Sequence, residues 1–142
     1  SLLTALDLDR HFHGLAGRDT FPVCKPHPDH LLGAVRLAGG DPAHALMVGD
    51  SDVDIKTAKA AGVPGVVVPT AGNAGAAIAA YAAAAGLPVQ VFAPRTTPRP
   101  ILDTIEAMGA ALTRIDGHIG DAGKLAVAYA AERESFGGPI AG

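Results

Sequence analysis

The chain has 142 residues, one cysteine (Cys24) and a formal net charge of −3 from 11 basic and 14 acidic side chains. This length fits a single domain, and a lone cysteine excludes both an internal disulfide and a cysteine-rich metal site. Aromatic residues make up only 4% of the chain and the basic residues form no cluster, so nucleic-acid binding is not expected.

Glycines at regular intervals divide the chain into repeated strand–helix units. Gly39, Gly62, Gly86 and Gly109 are 23, 24 and 23 residues apart, and each follows a helical run. Glycine adopts the left-handed conformation found just after many helices without steric cost. A repeat of this length fits one strand followed by one helix.

The apolar runs between these helices predict the strands of a parallel sheet. Most of the runs are apolar throughout, as expected for strands buried on both faces. The predicted strands cover 45–49, 64–68, 88–92 and 110–115, with a weaker one at 13–17, and the predicted helices cover 29–38, 52–61, 73–85, 98–108 and 120–134. We therefore expect one α/β domain over 1–142, a Rossmann-like three-layer sandwich of about five mostly parallel strands with helices on both faces. Residues 135–142 are expected to form a loose tail.

Acidic side chains follow the first of the stronger strands. Carboxylates at this end of a parallel strand lie where such folds bind ligands. Asp50 and Asp54 are four residues apart, so on a helix they share a face and can serve one hard cation such as Mg²⁺. Lys25, which precedes a Pro-His-Pro turn, is a positive charge suited to a phosphate. The alternative is that Asp50 and Ser51 only cap the helix.

The motifs KPHP and GDSDVD carry a family resemblance. With them, residues from about 2 to 68 resemble the C-terminal part of haloacid-dehalogenase-superfamily phosphatases of the phosphoglycolate phosphatase type. The resemblance implies that Lys25 stabilises an attacking aspartate and the phosphoryl group. It also implies that Asp50 binds Mg²⁺ and that Asp54 is the second acidic position of the metal site.

The nucleophile that this resemblance requires is missing from its expected place. The family attacks phosphate with the first aspartate of a DxDx(T/V) motif on a strand far upstream of the lysine. The only DxD before Lys25 is formed by Asp7 and Asp9, and Arg10 and His11 follow it instead of Thr or Val. Because no apolar strand leads into this DxD, we interpret it as a solvated helix end and Lys25 as a vestigial catalytic residue.

A second candidate site follows the strand predicted at 64–68. The turn contains Thr70, Gly72, Asn73 and Gly75 and opens directly into a helix. Backbone N–H groups at a helix start bind anions, and glycines let a ligand approach the backbone closely. The alternative is an ordinary tight turn in which Thr70 or Asn73 caps the helix and Gly75 packs it against the sheet.

The motifs TAGNAG and APRTTPRPILDTIEAMGA carry a second resemblance. Residues from about 66 to 131 resemble the small-domain region of fold-type II pyridoxal-phosphate enzymes of the threonine synthase type. The resemblance implies that Asn73 faces the pyridine 3′-oxygen and that Thr70 and Gly72 contact the substrate carboxylate. The Schiff-base lysine of that family lies upstream of the turn, where this chain carries phosphatase-like sequence. We therefore expect no covalent capture of pyridoxal phosphate.

The two resemblances meet within one strand, at about 65–69, without a linker. Natural domain fusions join complete cores through exposed linkers. We interpret the chain as recombined or engineered, with a phosphatase-like half at 1–68 and a threonine-synthase-like half at 69–134. On this interpretation it has a vestigial anion- and metal-binding crevice and no native catalytic function. The alternatives are a Mg-dependent phosphatase whose nucleophile is not recognised, and a weak pyridoxal-phosphate or phosphate-binding module.

Few partners are expected from this sequence. Phosphate or sulfate fits the turn at 70–75, and Mg²⁺ binding should be weak.

A homodimer is expected through an edge strand, either 13–17 or, preferably, 110–115, where Thr113 and Arg114 interrupt the apolar run. The longest apolar stretch, 74–88, is too short and too rich in alanine to span a membrane, and the first residues lack the form of a signal peptide. A cytoplasmic protein without membrane contact is expected.

Overall fold

A four-stranded parallel sheet forms the centre of the protein in the computed structural model, which describes residues 2–7 and 9–136. Within the sheet, Val66 pairs with Met47 on one side and with Val89 on the other. The strands lie side by side in chain order: β1 (Met47–Val48), β2 (Val66–Pro69), β3 (Val89–Pro94) and β4 (Ala111–Ile115).

Helices precede the first strand, connect the four strands and follow the last of them. Within the described residues they are α1 (Leu2–Ala5), α2 (Pro28–Leu37), α3 (Asp52–Ala61), α4 (Asn73–Ala85), α5 (Arg99–Ala107) and α6 (Ile119–Phe136). The bounds of α3 and α4 agree with the predicted ones. The predicted left-handed glycines are also confirmed: φ is +75° at Gly39, +71° at Gly62, +67° at Gly86 and +80° at Gly109.

Both faces of the sheet are covered, which confirms the three-layer sandwich. On one face, Val66 and Val68 of β2 and the valines of β3 pack in one core with Ile55 of α3, Ile78 of α4 and Ile105 of α5. On the other face, Val67 and Phe92 pack with Ala122 and Ala126 of α6. Strands joined in chain order by right-handed crossovers place their connecting helices on one face, which leaves the other face to α6.

The predicted fifth strand at 13–17 is wrong, since these residues form no strand and the described sheet has four. Two of the five residues are glycines, and Leu15 is exposed, so the segment has little apolar surface to bury against a neighbour. The strand predicted at 45–49 is reduced to the two residues of β1, because it too has little surface to bury against a neighbour. It pairs only with β2, over two residues, and Val48 is 41% exposed.

The edges of the described sheet are β1 and β4. The edge expected at 110–115 is therefore present, whereas β1 takes the place of the edge expected at 13–17. In β4, Thr113 Oγ1 accepts a hydrogen bond from Gln90 Nε2 at 3.0 Å and Arg114 contacts Glu106 at 2.9 Å. Pairing between two copies through β4 stays a prediction, which light scattering over a range of protein concentrations would test.

The C-terminal helix is longer than predicted. α6 ends at Phe136, two residues inside the predicted loose tail, and 137–142 lie outside the described residues. Among the described helices, none is both long and apolar enough to cross a membrane.

Candidate functional site

The carboxylate of Asp54 is the centre of a hydrogen-bonded cluster beside the end of β1. Only 4% of this residue is exposed. Its Oδ1 atom accepts a hydrogen bond from Lys25 Nζ at 2.7 Å, and Oδ2 accepts one from Ser51 Oγ at 2.6 Å. The backbone N–H groups of Ser51 and Asp50 also donate to Oδ2, at 3.2 and 3.3 Å. Four donors therefore replace the water that burial removes from this carboxylate.

Part of this cluster belongs to the start of α3. Ser51 is the N-cap residue, and its Oγ accepts a hydrogen bond from the Asp54 N–H at 3.4 Å while the Asp54 side chain returns a contact to the Ser51 backbone. This reciprocal arrangement is a capping box, in which two otherwise unpaired donors of the first helical turn are satisfied. The capping role considered for Ser51 is thus present, and the Ser-x-x-Asp spacing was a signal for it.

The Lys25–Asp54 contact joins a half-exposed cation to a buried anion. The side chain of Lys25 is 43% exposed and that of Asp54 only 5%. Burial raises the pKa of the Asp54 carboxyl, but hydrogen bonds from Lys25 and Ser51 outweigh burial, so the pKa lies below its ordinary value. Asp54 is therefore ionised at neutral pH, and its charge is balanced by Lys25.

Gly49 allows the Asp54 carboxylate to lie against the chain at the end of β1. A Cβ atom added at Gly49 would lie 2.5 Å from Asp54 Cγ and 2.6 Å from Oδ2. A non-bonded Cβ atom does not approach other heavy atoms this closely, so any side chain at this position would displace the carboxylate. The role of Gly49 is not visible in the sequence, because it depends on a contact with a residue of the next helix.

The side chain of Asp50 stands apart from this cluster, although its backbone N–H belongs to it. It is exposed and lines a cavity of about 210 Å³ together with Val48, Gly49 and Pro69, where the ends of β1 and β2 meet. Within residues 2–7 and 9–136, no group of three or more His, Cys, Asp or Glu side chains is placed to hold a metal ion. The assignment of Asp50 and Asp54 to a metal site stays a prediction.

The turn after β2 is held by the hydroxyl group of Thr70, which is buried. Its Oγ1 atom accepts hydrogen bonds from the N–H groups of Gly72 at 3.2 Å and Gly75 at 3.0 Å, and donates one to the Gly72 carbonyl at 3.1 Å. Two backbone donors that an anion would use are therefore engaged within the turn. Asn73 is exposed at the first position of α4. Binding of phosphate, sulfate or a cofactor by these residues stays a prediction.

Comparison with known proteins divides the chain into two overlapping parts. Residues 45–139 match the family of pyridoxal-phosphate dependent enzymes, and residues 1–62 match haloacid dehalogenase-like hydrolases. Both resemblances inferred from the motifs are thereby confirmed, and the chain has a chimera-like composition.

Curated relatives that this chain resembles include phosphoglycolate phosphatases. The one from Mesorhizobium japonicum is 60% identical over 68 residues, which are 48% of this chain and 30% of the relative. The one from Caulobacter vibrioides is 44% identical over 68 residues, 48% of this chain and 29% of the relative. The one from Escherichia coli is 46% identical over 77 residues, 54% of this chain and 31% of the relative. The chain thus spans less than a third of the length of these relatives.

Proposed function

This chain belongs to the pyridoxal-phosphate dependent enzyme family through residues 45–139, and we propose that it is nevertheless a non-catalytic α/β domain built from parts of two enzymes. The observation that carries the proposal is the 2.7 Å contact between Lys25 and Asp54. This contact neutralises the charges of Lys25 and Asp54, the two residues that the resemblance to phosphatases assigns to the active site. Neither an attacking carboxylate nor a lysine in the pyridoxal-phosphate family position is recognisable within these 142 residues.

The arrangement of the sheet supports a recombined origin, natural or engineered. The two family matches overlap over residues 45–62, and β2 follows a few residues later. α2 lies only in the phosphatase-like match and α4 and β3 lie only in the other, while β1 and α3 belong to the overlap. Leu31 of α2 nevertheless packs against the buried cluster that contains Ile78 of α4. The two parts therefore depend on one core, whereas joined natural domains each have a core of their own.

Magnesium is expected to bind weakly, at Asp50. Mg²⁺ demands near-octahedral coordination by oxygen atoms, and Asp50 offers one carboxylate while both oxygens of Asp54 already accept hydrogen bonds. Calorimetric titration should give a dissociation constant of roughly 1 mM or weaker, and Asp50→Asn should abolish the signal. Asp103→Asn, an exposed carboxylate on α5, is the matched control. Binding that is tight, or that survives Asp50→Asn, contradicts this prediction.

Pyridoxal phosphate is expected not to form an aldimine at any one lysine. A Schiff-base lysine must be partly desolvated so that its amine is neutral. Here Lys25 contacts Asp54, Lys124 contacts Asp121 at 3.5 Å, and Lys59 is exposed on α3. A hydrogen bond to Asp52 raises the pKa of Lys56 and so keeps its ammonium group protonated. The residues present therefore do not fit covalent capture of this cofactor.

Borohydride reduction after mixing with the cofactor, followed by peptide mapping, tests this expectation. We expect only low, scattered modification of exposed lysines. Stoichiometric labelling of a single lysine would show a working cofactor site and would end the non-catalytic proposal.

A further inference from the structure

A second cavity lies beside Lys25, outside the contacts that hold Asp54. Its volume of about 490 Å³ is in the range of small-molecule sites. It differs from the cavity that Asp50 lines at the end of β1. The residues around it come from the 13–25 loop and from the first turns of α2 and α3: Ala16, Arg18, Cys24, Lys25, His30 and Val53.

Cationic side chains line this cavity, and none of its described lining residues is a carboxylate. Lys25 shares its charge with Asp54. Arg18 is exposed and takes part in none of the ion pairs found among the described residues, whereas Arg10, Arg95 and Arg99 each contact an aspartate. The charge of Arg18 is therefore available to an incoming ligand.

The loop that carries Arg18 and Cys24 is anchored at its centre. The ring of Phe21 lies edge-on against that of His30, with the ring centroids 5.6 Å apart. A Cβ atom added at Gly33 would lie 2.8 Å from the Phe21 ring, so α2 and the loop are in close contact. His30 Nδ1 also lies 3.0 Å from the Val23 carbonyl oxygen. The wall of the cavity is thus held by packing, and less entropy is lost when a ligand binds.

We propose that this cavity binds a small organic anion. Its carboxylate or phosphate group lies between Arg18 and Lys25, and its carbon atoms lie against Ala16 and Val53. The planar guanidinium group of Arg18 presents paired donors that match either anion. Arg18 lies outside both motifs that define the candidate sites, and the proposal requires neither a metal at Asp50 nor any catalytic turnover.

Alkylation of Cys24 tests the proposal, because Cys24 is the only cysteine and lines the cavity. Iodoacetate carries a carboxylate, and iodoacetamide is a neutral reagent of almost the same size. In both reactions the Cys24 thiolate forms a bond to the methylene carbon and iodide leaves with the electron pair of the broken bond. Rates are measured by mass spectrometry in metal-free buffer, and each iodoacetate rate is divided by the corresponding iodoacetamide rate.

This rate ratio should exceed that of a small cysteine peptide by about fivefold, the effect of one unit charge about 4 Å away in water. Arg18→Gln should bring the ratio close to that of the peptide, whereas Arg18→Lys should keep most of the excess. Arg99→Gln, which removes the same charge on α5, should leave the ratio unchanged. A ratio equal to that of the peptide, or one that Arg18→Gln and Arg99→Gln lower equally, overturns the proposal.

Protection experiments distinguish the two anionic groups. Slower alkylation by iodoacetamide in the presence of acetate alone supports a carboxylate ligand, and slower alkylation in the presence of inorganic phosphate alone supports a phosphate ligand. Protection by both acetate and phosphate supports one site that accepts either anionic group. Protection by neither at about 0.15 M, where longer-range attraction is already screened, counts against a binding site.

Discussion

Replacement of Asp54 by alanine is expected to lower the free energy of unfolding by about 3 kcal/mol. The substitution removes the acceptor of the hydrogen bonds donated by Lys25, Ser51 and two backbone N–H groups. It also removes the N3 partner of the capping box of α3. Lys25 is half-exposed and can be hydrated again, so the part-buried donors of the Ser51 hydroxyl and of the Asp50 and Ser51 backbone account for most of the loss. Urea denaturation followed by circular dichroism measures it.

Asp52→Ala is the matched control for this substitution. Asp52 lies on the same turn of α3 and contacts Lys56 at 2.6 Å, but on the exposed side of the helix. Its replacement should cost far less than that of Asp54. Equal losses for the two variants would show that helix-terminal charge, and not the buried cluster, stabilises this region.

Acid should remove the contribution of Asp54. The pKa of Asp54 is lowered in the folded protein, so the unfolded chain takes up its proton first as the pH falls. The stabilisation is therefore complete above the unfolded pKa of about 4 and is lost as the pH falls through the lower folded pKa. Asp54→Asn should show a correspondingly smaller loss of stability between neutral and acidic pH.

Gly75→Ala is expected to destabilise the protein by at least about 2 kcal/mol. A Cβ atom at Gly75 would lie 2.3 Å from Thr70 Cγ2 and 2.9 Å from Thr70 Oγ1. Thr70 is buried, and its hydroxyl group accepts the hydrogen bonds that fix the turn, so it has little freedom to move. The overlap must therefore separate α4 from the end of β2. Thermal and urea unfolding both report the loss.

Two further variants test this explanation. Gly72→Ala should change the unfolding free energy by less than about 0.5 kcal/mol, because no atom lies within 4 Å of the added Cβ and the backbone there is extended. Adding Thr70→Ser to Gly75→Ala should restore part of the stability, because serine lacks the methyl group that makes the closest contact. If the double variant is no more stable than Gly75→Ala, the loss of unfolding free energy does not arise from the contact with the Thr70 methyl group.

The helices of this fold could be predicted more closely than its strands. The bounds of α3 follow from local signals, namely the Ser51 cap and the left-handed Gly62. A strand depends on neighbours that are distant in sequence. The run at 13–17 has four apolar or small residues after His13, and the run at 45–49 has five, yet the first forms no strand and the second pairs over two residues. Apolar periodicity alone does not reveal which strand edges have a partner.

The residues of the candidate site were found from sequence, but the contacts between them were not. Lys25 and Asp54 were identified from separate motifs, and they are 29 positions apart in the sequence. Their direct contact depends on how the loop before α2 packs against α3. The hydroxyl group of Thr70, by contrast, accepts hydrogen bonds from Gly72 and from Gly75 in the first turn of α4, which agrees with the capping alternative. These contacts are local in sequence, whereas tertiary packing decides which acceptor Lys25 reaches.

Phosphate release from 2-phosphoglycolate at saturating Mg²⁺ tests the non-catalytic proposal most directly. With Lys25 held by Asp54 and no recognisable attacking aspartate, we expect release at the rate of buffer alone, and the same rate for Asp50→Ala. Folding of both proteins is checked by circular dichroism, so that an absence of release cannot reflect unfolding. Release that saturates with substrate and that Asp50→Ala abolishes would contradict the proposal and would make the chain a working phosphatase.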